Sequence, residues 1–410
     1  MVFPMSDDAF PIRISLAEAL DIVRAAATRR LECEHLAISR ADGRVLAADV
    51  VAPVALPAFD NSAMDGFALR HGDLAIDAPT VLRLAGEQFA GRDLGLRLQP
   101  GECVRITTGA PLPEGADTVL IRENAVAGES RVEVMIVPAR GANVRRRAED
   151  VEEGDTVLRA GEVLTPARIG LAASLGIDRL PVSARPTVAV FASGDELVEP
   201  GMPLQPGQVY NSNRDQLMAL LRALGLEPVA WPTLPDDPLR IEAMLADAVA
   251  SFDVVLTCGG VSAGEKDHLP RWLQAHGRIH FWKVRMRPGM PVLFGEAGRA
   301  LVLGLPGNPV SVLATFTVLG RALLDALQGR GEVRPRWRAR LAAPWHKRHE
   351  RLEFLRGRLG QDADAGLLAH PHPADGSHRL RGAAESDALI VLDEGARDYV
   401  AGDLVEVIPL

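Results

Sequence analysis

The sequence contains few of the residues that build disulfide frameworks or thiolate metal sites. It has three cysteines among 410 residues, Cys33, Cys103 and Cys258, and they lie far apart along the chain. An odd number of distant cysteines argues against a disulfide framework and against a cysteine metal site. We expect these thiols to be reduced, as in the cytosol.

The sequence also lacks long apolar runs, a basic N-terminus and an excess of positive charge. No apolar run approaches the length of a membrane span, and Asp7 and Asp8 stand where a signal peptide would be basic. The formal net charge of -9 argues against nucleic-acid binding through bulk electrostatics. These features predict a cytoplasmic protein with no membrane partner and no nucleic-acid partner. Local cations must then capture any anionic substrate.

The most informative segment that is present is a glycine-rich loop. Residues 252–258 form an apolar, β-branched run, and Gly259, Gly260 and Gly264 follow it. Glycines let backbone amides approach a ligand closely, and the start of a helix adds positive charge, so the loop suits a phosphate. Asp267 would repel that phosphate unless a cation lies between them, which indicates a phosphorylated ligand with a metal. The alternative is an ordinary tight turn between a strand and a helix, with Asp267 as the cap of that helix.

Three predicted strands end in carboxylates. Glu196, Asp236 and Asp267 each follow an apolar run that is typical of a buried strand. Because ligands of open α/β sheets bind beyond the carboxyl ends of the strands, we expect these acids to share one crevice and to bind Mg²⁺. Asp237 is different, since Pro238 follows it and the pair predicts a helix N-cap with proline at the first helical position.

A fourth apolar run, at residues 300–305, leads into a proline-rich turn. Pro306 and Gly307 supply a sharp turn, and Asn308 is expected to cap a helix that begins at Pro309. Taken alone, this pattern is equally typical of a structural loop without a binding role.

Cations cluster near the end of another predicted strand. Lys283, Arg285 and Arg287 alternate along the strand predicted at 279–286, which would point all of them to one face. One face with several cations favours an anionic ligand. Two further basic clusters are Arg145 to Arg147 and the group Lys347, Arg348 and Arg351. For the last of these a solvated surface is the preferred interpretation, because most charge runs are solvated.

The length of the chain indicates several domains. We predict an α/β multidomain fold in which the pattern of helical and β-branched segments changes along the chain. The predicted parts are a discontinuous N-terminal domain at 1–57 plus 144–181, a β-rich insertion at 58–143, a doubly wound sheet domain at 182–330, and a small C-terminal β-barrel at 331–410. A capping box at Ser15 and Glu18 predicts the first helix.

Five segments carry most of the remaining information. They are residues 59–66 (FDNSAMDG), 105–111 (RITTGAP), 193–197 (SGDEL), 258–264 (CGGVSAG) and 304–309 (GLPGNP). In this order they resemble the molybdopterin molybdenumtransferase family, known as MoeA in bacteria and as the C-terminal part of gephyrin in animals. The resemblance spans most of the chain, and it implies that the doubly wound sheet is of the molybdopterin adenylyltransferase type.

The resemblance implies an enzyme that completes molybdenum cofactor biosynthesis. A Mg²⁺-dependent transferase of this family inserts molybdate into the dithiolene of adenylylated molybdopterin and releases AMP. The candidate metal ligands are Glu196, Asp236 and Asp267, and the candidate catalytic residues are these three with Asp65, Thr108 and Lys283. The candidate substrate-binding residues are Gly259, Gly260, Val261, Ser262, Gly264, Arg145, Arg287, Pro306, Gly307, Asn308, Arg351 and Ser377.

One position departs from the better-known pattern of the family. The cations at positions 283 and 287 are lysines there, implicated in binding the oxyanion and the cofactor precursor. Lys283 keeps the lysine, but Arg287 offers a planar fork in place of a point charge. The resemblance therefore implies the family role for Lys283, whereas Arg287 departs from the family pattern.

The resemblance also implies a homodimer, because Asp65 and Thr108 would face the active-site cleft of the neighbouring subunit. From the residues alone, Asp65 before Gly66 is equally a turn residue. Further expected partners are a molybdopterin adenylyltransferase and molybdoenzyme maturation factors.

Two alternative functions stay open. The first is a molybdopterin adenylyltransferase, whose loop typically reads Gly-Gly-Thr-Gly where this chain has Gly-Gly-Val-Ser at 259–262. The second is a gephyrin-like scaffold without catalysis, which the retention of all the catalytic candidates disfavours.

Overall fold

The computed structural model describes residues 10–27, 31–75, 78–235, 237–261 and 268–410. The chain forms two compact units: the smaller is His35–Val182, and the larger contains residues up to Glu34 together with Ser183–Leu410. The predicted site residues Asp236, Ser262, Gly264 and Asp267 lie outside the described residues. The predicted division of the chain into domains stays a prediction.

The strands are mostly short in the first part of the chain and longer in the second. In chain order the first set is β1 Ile12–Ile14, β2 Cys33–Ala37, β3 Val50–Val51, β4 Asn61–Ser62, β5 Gly66–Leu69, β6 Thr80–Gln88, β7 Glu102–Ile106, β8 Thr118–Ile121, β9 Ala125–Ala127, β10 Arg131–Val134, β11 Val144–Arg145, β12 Thr156–Leu158 and β13 Arg179–Ser183. The second set is β14 Val188–Ala192, β15 Leu197–Val198, β16 Val209–Tyr210, β17 Val229–Ala230, β18 Val254–Cys258, β19 Gly277–Val284, β20 Met286–Arg287, β21 Leu293–Ala297, β22 Ala300–Leu305, β23 Trp337–Leu341, β24 Trp345–Lys347, β25 Leu352–Gln361, β26 Leu367–Pro371, β27 Ala388–Leu392, β28 Arg397–Tyr399 and β29 Leu404–Pro409.

Side-chain caps start the first four α-helices in the described ranges. They are α1 Leu16–Ala26, α2 Pro166–Ser174, α3 Ser212–Ala223, α4 Pro238–Ser251, α5 His268–His276, α6 Pro309–Thr315, α7 Arg321–Leu327 and α8 Leu380–Ala384. The predicted capping box is confirmed, since Ser15 and Glu18 cap the start of α1 reciprocally. The predicted cap of α4 is also confirmed, because the Asp237 carboxylate accepts from the Leu239 amide and Pro238 is the first helical residue.

A mixed sheet forms the centre of the larger unit. Its strand order is β1-β19-β21-β22-β18-β14-β17. β22, β18, β14 and β17 are parallel neighbours, whereas β21 runs antiparallel to β19 and β22. The predicted apolar strands therefore lie side by side and run in one direction, so that their carboxyl ends meet at one edge.

Helices cover both faces of this sheet, as the alternation of side chains along a strand requires. On β14, Val190 packs in the same cluster as Leu217 of α3, while Phe191 packs in another cluster with Ile241 of α4. Both strand residues are fully buried. A strand that is apolar on both faces is typical of a doubly wound sheet, and the predicted fold of this region is confirmed.

A small closed barrel follows in the C-terminal part. β25, β26, β23, β29 and β27 form a ring, because β27 pairs with both β29 and β25. β20 pairs with β25 in parallel from outside the ring and so connects the barrel with the segment that follows β19. The predicted terminal β-barrel is confirmed.

One helical segment is long and apolar. α6, a π-helical segment at Phe316–Gly320 and α7 run continuously over Pro309–Leu327, with a mean hydropathy of 1.6 in the most apolar window. By length and composition this segment could cross a membrane, which differs from the expectation that no apolar run approaches that length. Of that window 78% is buried within the protein, as in a core helix.

The smaller unit is rich in β-structure, as the sequence predicts for most of residues 58–143. A six-stranded sheet has the order β8-β5-β7-β6-β10-β9. The buried side chains of Leu69, Leu82, Leu120 and Val132 form its core. Short pairs of strands, β3 with β12 and β4 with β11, together with α2 complete this unit.

Candidate functional site

The loops that follow three parallel strands lie together at one edge of the larger unit's sheet. Ala192, Cys258 and Leu305 are the last residues of β14, β18 and β22, and they are in register with one another. The Ser193 amide donates to the Cys258 carbonyl at 2.9 Å, and the Gly259 amide donates to the Leu305 carbonyl at 3.0 Å. These hydrogen bonds hold the three loops side by side.

The backbone conformation of the loop after β18 requires glycine at two positions. Gly259 has a φ of +89° and Gly260 a φ of +68°, in the left-handed region that favours glycine. A Cβ added to Gly259 would lie 3.0 Å from the Ser193 carbonyl oxygen. The two glycines therefore let this turn lie against the neighbouring loop, with little side-chain bulk between backbone and ligand.

The turn after β22 is held from α3 and from the barrel. The Asn213 side-chain amide, in the first turn of α3, donates to the Gly307 carbonyl at 2.7 Å. Asn308 occupies the N-cap position of α6 with Pro309 behind it, as predicted, although its side chain makes no capping hydrogen bond within the described chain. The Val310 amide instead donates to the Ser377 carbonyl at 3.2 Å. Ser377 thus lies at the start of α6, beside the candidate residues Gly307 and Asn308.

Glu196 lies beyond the end of β14 and is exposed. Its carboxylate folds back over Gly194, where an added Cβ would lie 2.4 Å from Oε2. The Glu196 carbonyl accepts from the Val209 amide at 2.9 Å, which fixes the loop that carries it. The structure therefore places this one predicted metal ligand at the same edge as the glycine turns, while Asp236 and Asp267 lie outside the described residues.

Lys283 lies at the end of β19, on the same edge of the sheet. β19 runs parallel in space to β22, since β21 lies between them and is antiparallel to both. The side chain is half-buried, and its ammonium lies 4.5 Å from the centroid of the Trp282 ring. No carboxylate within the described ranges lies within ion-pair distance of it, so its charge stays available for an anion.

The predicted cationic strand face is wrong. β19 ends at Val284, and Lys283 has a φ of +68°, which breaks the alternation that a regular strand would impose. Arg285 lies 3.6 Å from Glu394, and Arg287 belongs to β20, which pairs with the barrel strand β25. The three cations therefore have separate environments.

Arg287 is part of a cluster of opposite charges on the barrel side. Its guanidinium lies 3.4 Å from Glu353 and 3.2 Å from Asp375. The Glu353 side chain is only 3% exposed, and His349 Nε2 lies 3.1 Å from it. A buried carboxylate needs such partners, because an unpaired charge in the interior is costly. Both ends of the planar fork of Arg287 thus contact acids.

Arg351 lies beside this cluster. It is half-buried, and its guanidinium lies 3.9 Å from the Met290 sulfur. Burial lowers the pKa of Arg351, and the positive charge of Arg287 lowers that pKa further. The Met290 carbonyl accepts from the Val284 amide, so Arg351 reaches the segment that fixes the end of β19 and Lys283.

The predicted residues of the smaller unit contact one another. The Asp65 carboxylate accepts from the Thr108 backbone amide at 2.7 Å and from the Thr108 hydroxyl at 2.9 Å. These two hydrogen bonds, the backbone one first, lower the pKa of Asp65 and favour its ionised form. Both residues are exposed, and Arg145 is exposed on β11 opposite Asn61 of β4. An ionised, oriented carboxylate is therefore presented at the surface of this unit.

No group of three or more His, Cys, Asp or Glu side chains is placed to hold a metal ion in the part of the chain that the structure describes. Cys103 and Cys258 are buried, and burial raises the pKa of both thiols, of Cys103 to about 12. All three cysteines are free of disulfides, as the sequence predicts.

Two residues that help to build the site were not predicted from the sequence. Trp282 donates its indole N–H to the Val261 carbonyl at 2.8 Å, and Asn213 fixes the turn at Gly307. The aromatic residue just before Lys283 and the run Asn211-Ser212-Asn213 were the available signals. Neither pattern is specific enough to assign such contacts without the fold.

Comparison with known proteins covers nearly the whole chain. Residues 14–176 match the MoeA N-terminal region (domain I and II), residues 189–326 match a probable molybdopterin binding domain, and residues 338–410 match the MoeA C-terminal region (domain IV). A molybdopterin molybdenumtransferase of Haemophilus influenzae is 37% identical over 92% of this chain and 94% of its own length. Molybdopterin molybdenumtransferase 2 of Mycobacterium tuberculosis is 39% identical over 90% of this chain and 93% of its own length.

A solved structure has the same fold. The molybdopterin biosynthesis MoeA protein from Pyrococcus horikosii is 30% identical and superposes with a TM-score of 0.81, covering 97% of this chain and 99% of its own. The match extends through the doubly wound sheet, the β-rich part and the terminal barrel. The chain therefore belongs to the molybdopterin molybdenumtransferase family and has a molybdotransferase role in molybdenum cofactor biosynthesis.

Proposed function

We propose that this transferase inserts molybdate into the dithiolene of adenylylated molybdopterin and releases AMP in a Mg²⁺-dependent reaction. The observation that carries the proposal is the single sheet edge at which the glycine turn after β18, the turn after β22 and the Lys283 ammonium lie together. Phosphates need backbone amides, and an oxyanion needs a cation. This edge supplies both from adjacent elements.

The reaction requires two events at neighbouring positions. Water cleaves the phosphoanhydride bond of the adenylylated substrate, which leaves AMP and the phosphate of molybdopterin. The two dithiolene thiols form two Mo–S bonds and give their protons to one molybdate oxide, which leaves as water. The backbone turn at Gly259 and Gly260 binds the phosphates, while Lys283 orients molybdate. Holding both reactants at one edge of a rigid sheet favours transfer by proximity.

The described residues are compatible with Mg²⁺ but supply only part of a site. Glu196 offers hard carboxylate oxygens, it is exposed, and it lies at the phosphate-binding edge. Mg²⁺ is commonly bound by one or two carboxylates together with substrate phosphates, so a complete protein cage is not required. We propose Glu196 with Asp236 and Asp267 as its ligands. When bound, Mg²⁺ would neutralise charge on the phosphoanhydride.

We assign different tasks to the cations near molybdate. Lys283 and Arg351 make no ion pair within 4.0 Å among the described residues, so each keeps charge for an anion. Arg287 is already neutralised by Glu353 and Asp375. We therefore propose that Arg287 stabilises the barrel side of the site, while Lys283, Arg351 and Ser377 contact the oxyanion.

A homodimer is the proposed assembly, with Asp65 and Thr108 acting on the cleft of the partner subunit. The exposed carboxylate of Asp65, held ionised by Thr108, is suited to act on a group outside its own unit. The proposed location is the cytoplasm. A molybdopterin adenylyltransferase would supply the substrate and molybdoenzyme maturation factors would accept the product.

The direct test is an assay of AMP release from adenylylated molybdopterin by the purified chain. We expect release that saturates with molybdate and that is abolished by a chelator and restored by Mg²⁺. An adenylyltransferase would instead consume ATP and molybdopterin without molybdate, and a scaffold would do neither. Either result contradicts the proposal.

A mixing experiment tests the dimer separately. Asp65→Ala and Asp267→Asn chains are each expected to be inactive, and in a mixed dimer one of the two clefts would regain both residues. The mixture should therefore recover part of the AMP release. No recovery, with mixed dimers confirmed by mass, would mean that one subunit contributes both Asp65 and Asp267 to its own cleft, which contradicts the proposed cross-subunit role.

A further inference from the structure

Trp282 connects the two anion-binding parts of the sheet edge. The residue is 7% exposed and packs with Phe191 and Leu293 in the core that α4 and α5 cover. Its indole N–H donates to the Val261 carbonyl at 2.8 Å, in a buried hydrogen bond. Val261 follows Gly259 and Gly260, so this bond holds the glycine turn from the side of β19.

The same ring holds the Lys283 side chain. In a regular strand, adjacent side chains point to opposite faces of the sheet. The left-handed backbone of Lys283, with a φ of +68°, removes that constraint, and its ammonium lies 4.5 Å from the ring centroid of Trp282. The face of an aromatic ring attracts a cation without neutralising it. The ring therefore limits where the ammonium can go while leaving its charge for an anion.

We propose that Trp282 is a positioning residue that sets the glycine turn and the Lys283 ammonium in one geometry through the two sides of its indole. The inference rests on the proposed function of Lys283 and of the turn. Trp282 would not contact either substrate. Its edge N–H would fix the phosphate-binding backbone, and its face would fix the cation that orients molybdate.

The chain offers a matched control for the indole N–H. Trp272, in α5, is also 7% exposed and packs in the same core as Trp282. Its indole nitrogen is buried but has no hydrogen-bond partner within the described ranges. Its ring stacks on His276, with the centroids 5.0 Å apart. Trp272→Phe thus removes a similar volume and an indole N–H from the same core cluster without removing a hydrogen bond to the glycine turn.

The test compares Trp282→Phe, Trp282→Leu and Trp272→Phe in the full-length protein. Amide hydrogen exchange at residues 259–261 is measured first, because it reports on the turn without requiring activity. We expect Trp282→Phe to accelerate that exchange by roughly tenfold, since the buried Val261 carbonyl loses its donor. Trp272→Phe should leave the exchange rate of the turn at the wild-type value.

The KM values for the two substrates then distinguish the role of the indole N–H from the role of the ring face. Trp282→Phe should raise KM for adenylylated molybdopterin by roughly tenfold, because only the turn is disturbed. Trp282→Leu also removes the aromatic face and should raise KM for molybdate by about threefold, the size of an exposed cation–π contact. Melting temperatures are measured for each variant, so that rates refer to folded protein.

Equal exchange rates in Trp282→Phe and Trp272→Phe would overturn the connection to the turn. An unchanged KM for molybdate in Trp282→Leu, together with a raised KM in Lys283→Ala, would overturn the connection to the ammonium while the proposed function stands. If Lys283→Ala leaves molybdate use unchanged, the proposed role of Lys283 fails instead. The exchange measurement still decides whether Trp282 holds the turn.

Discussion

The sheet edge and the barrel-side cluster of the larger unit both contain cations, but they use them differently. At the edge, Lys283 lies against the face of Trp282, and no carboxylate among the described residues is within ion-pair distance. In the cluster, Arg287 contacts Glu353 and Asp375, and the buried Glu353 also contacts His349. A cation is therefore a candidate for substrate binding when no carboxylate compensates its charge in the structure. Its spacing from other cations in the sequence does not decide this.

Breaking the barrel-side cluster should have the largest effect, and on stability. Arg287→Ala takes the guanidinium away from the buried Glu353 carboxylate. Because the Arg287 side chain is 37% exposed and His349 stays 3.1 Å from Glu353, we expect a cost of about 2–3 kcal/mol, the range for losing a charged hydrogen-bonding partner. We expect a lowered melting temperature and denaturation midpoint. Arg285→Ala is the matched control, because its pair with Glu394 is half-exposed on both sides and contributes about 0–1 kcal/mol. Equal losses in the two variants would show that the burial of the partner carboxylate, Glu353 or Glu394, does not determine the cost of removing the arginine.

Breaking the backbone of the sheet edge should have a smaller effect, which appears mainly in activity. Gly259→Ala forces a side chain into a φ of +89°, at a cost of about 1–2 kcal/mol, and brings a Cβ to 3.0 Å from the Ser193 carbonyl. Gly402→Ala imposes the same backbone cost at a φ of +93° in the barrel, where no atom lies within 4 Å of the added Cβ.

Both glycine variants should therefore lose stability by denaturation, Gly259→Ala more than Gly402→Ala because of the close Ser193 carbonyl. Only Gly259→Ala should raise KM for adenylylated molybdopterin. An equal rise in KM in Gly402→Ala would show that general destabilisation, and not the phosphate-binding turn, controls activity.

The smallest expected effect concerns Asp65. Its carboxylate is exposed and, like the loops at the sheet edge, it can contact a ligand. Thr108→Val removes the hydroxyl donor but keeps the backbone donor, so the pKa of Asp65 should rise partly towards its usual value. If ionised Asp65 is needed, the acid limb of the pH–activity profile should move to higher pH.

The lowered pKa of Asp65 also makes the stability of the protein depend on pH. A lowered pKa in the folded state contributes stability above the unfolded-state pKa, and this contribution is lost as the pH falls through the folded-state pKa. Thr108→Val should therefore lose a little stability near neutral pH and none in acid. Thr107→Val is the control, because the Thr107 hydroxyl accepts from the Ala90 amide and does not touch Asp65. A shifted acid limb in that variant would contradict this assignment.

The contrast between the two cation environments also explains what the sequence could predict. Apolar runs such as 254–258, proline and glycine turns, and the caps at Ser15 and Asp237 depend on local chemistry, and they predicted elements that the structure confirms. The motif order predicted the family. In contrast, the alternation of Lys283, Arg285 and Arg287 predicted a cationic face that does not exist.

The cationic face was predicted wrongly because one backbone angle and one strand that is distant in the sequence determine the surroundings of these cations. The positive φ of Lys283 ends the regular alternation, and the parallel pairing of Arg287 with Glu353 across β20 and β25 brings a barrel carboxylate to the fork. Neither is encoded in a local pattern. The contact of Asp65 with Thr108 is similar, since the two residues come from separate turns of the smaller unit's sheet.

Direct binding of molybdate tests the difference between the two cations most clearly. Calorimetric titration would compare wild-type protein with Lys283→Ala and Arg287→Lys, each shown to be folded at the temperature of the titration. We predict that Lys283→Ala weakens molybdate binding by roughly 10- to 100-fold, the range for losing one charged contact, and that Arg287→Lys leaves it within about threefold. Equal weakening in both variants, or a loss confined to Arg287→Lys, would contradict the assignment of the uncompensated charge to Lys283.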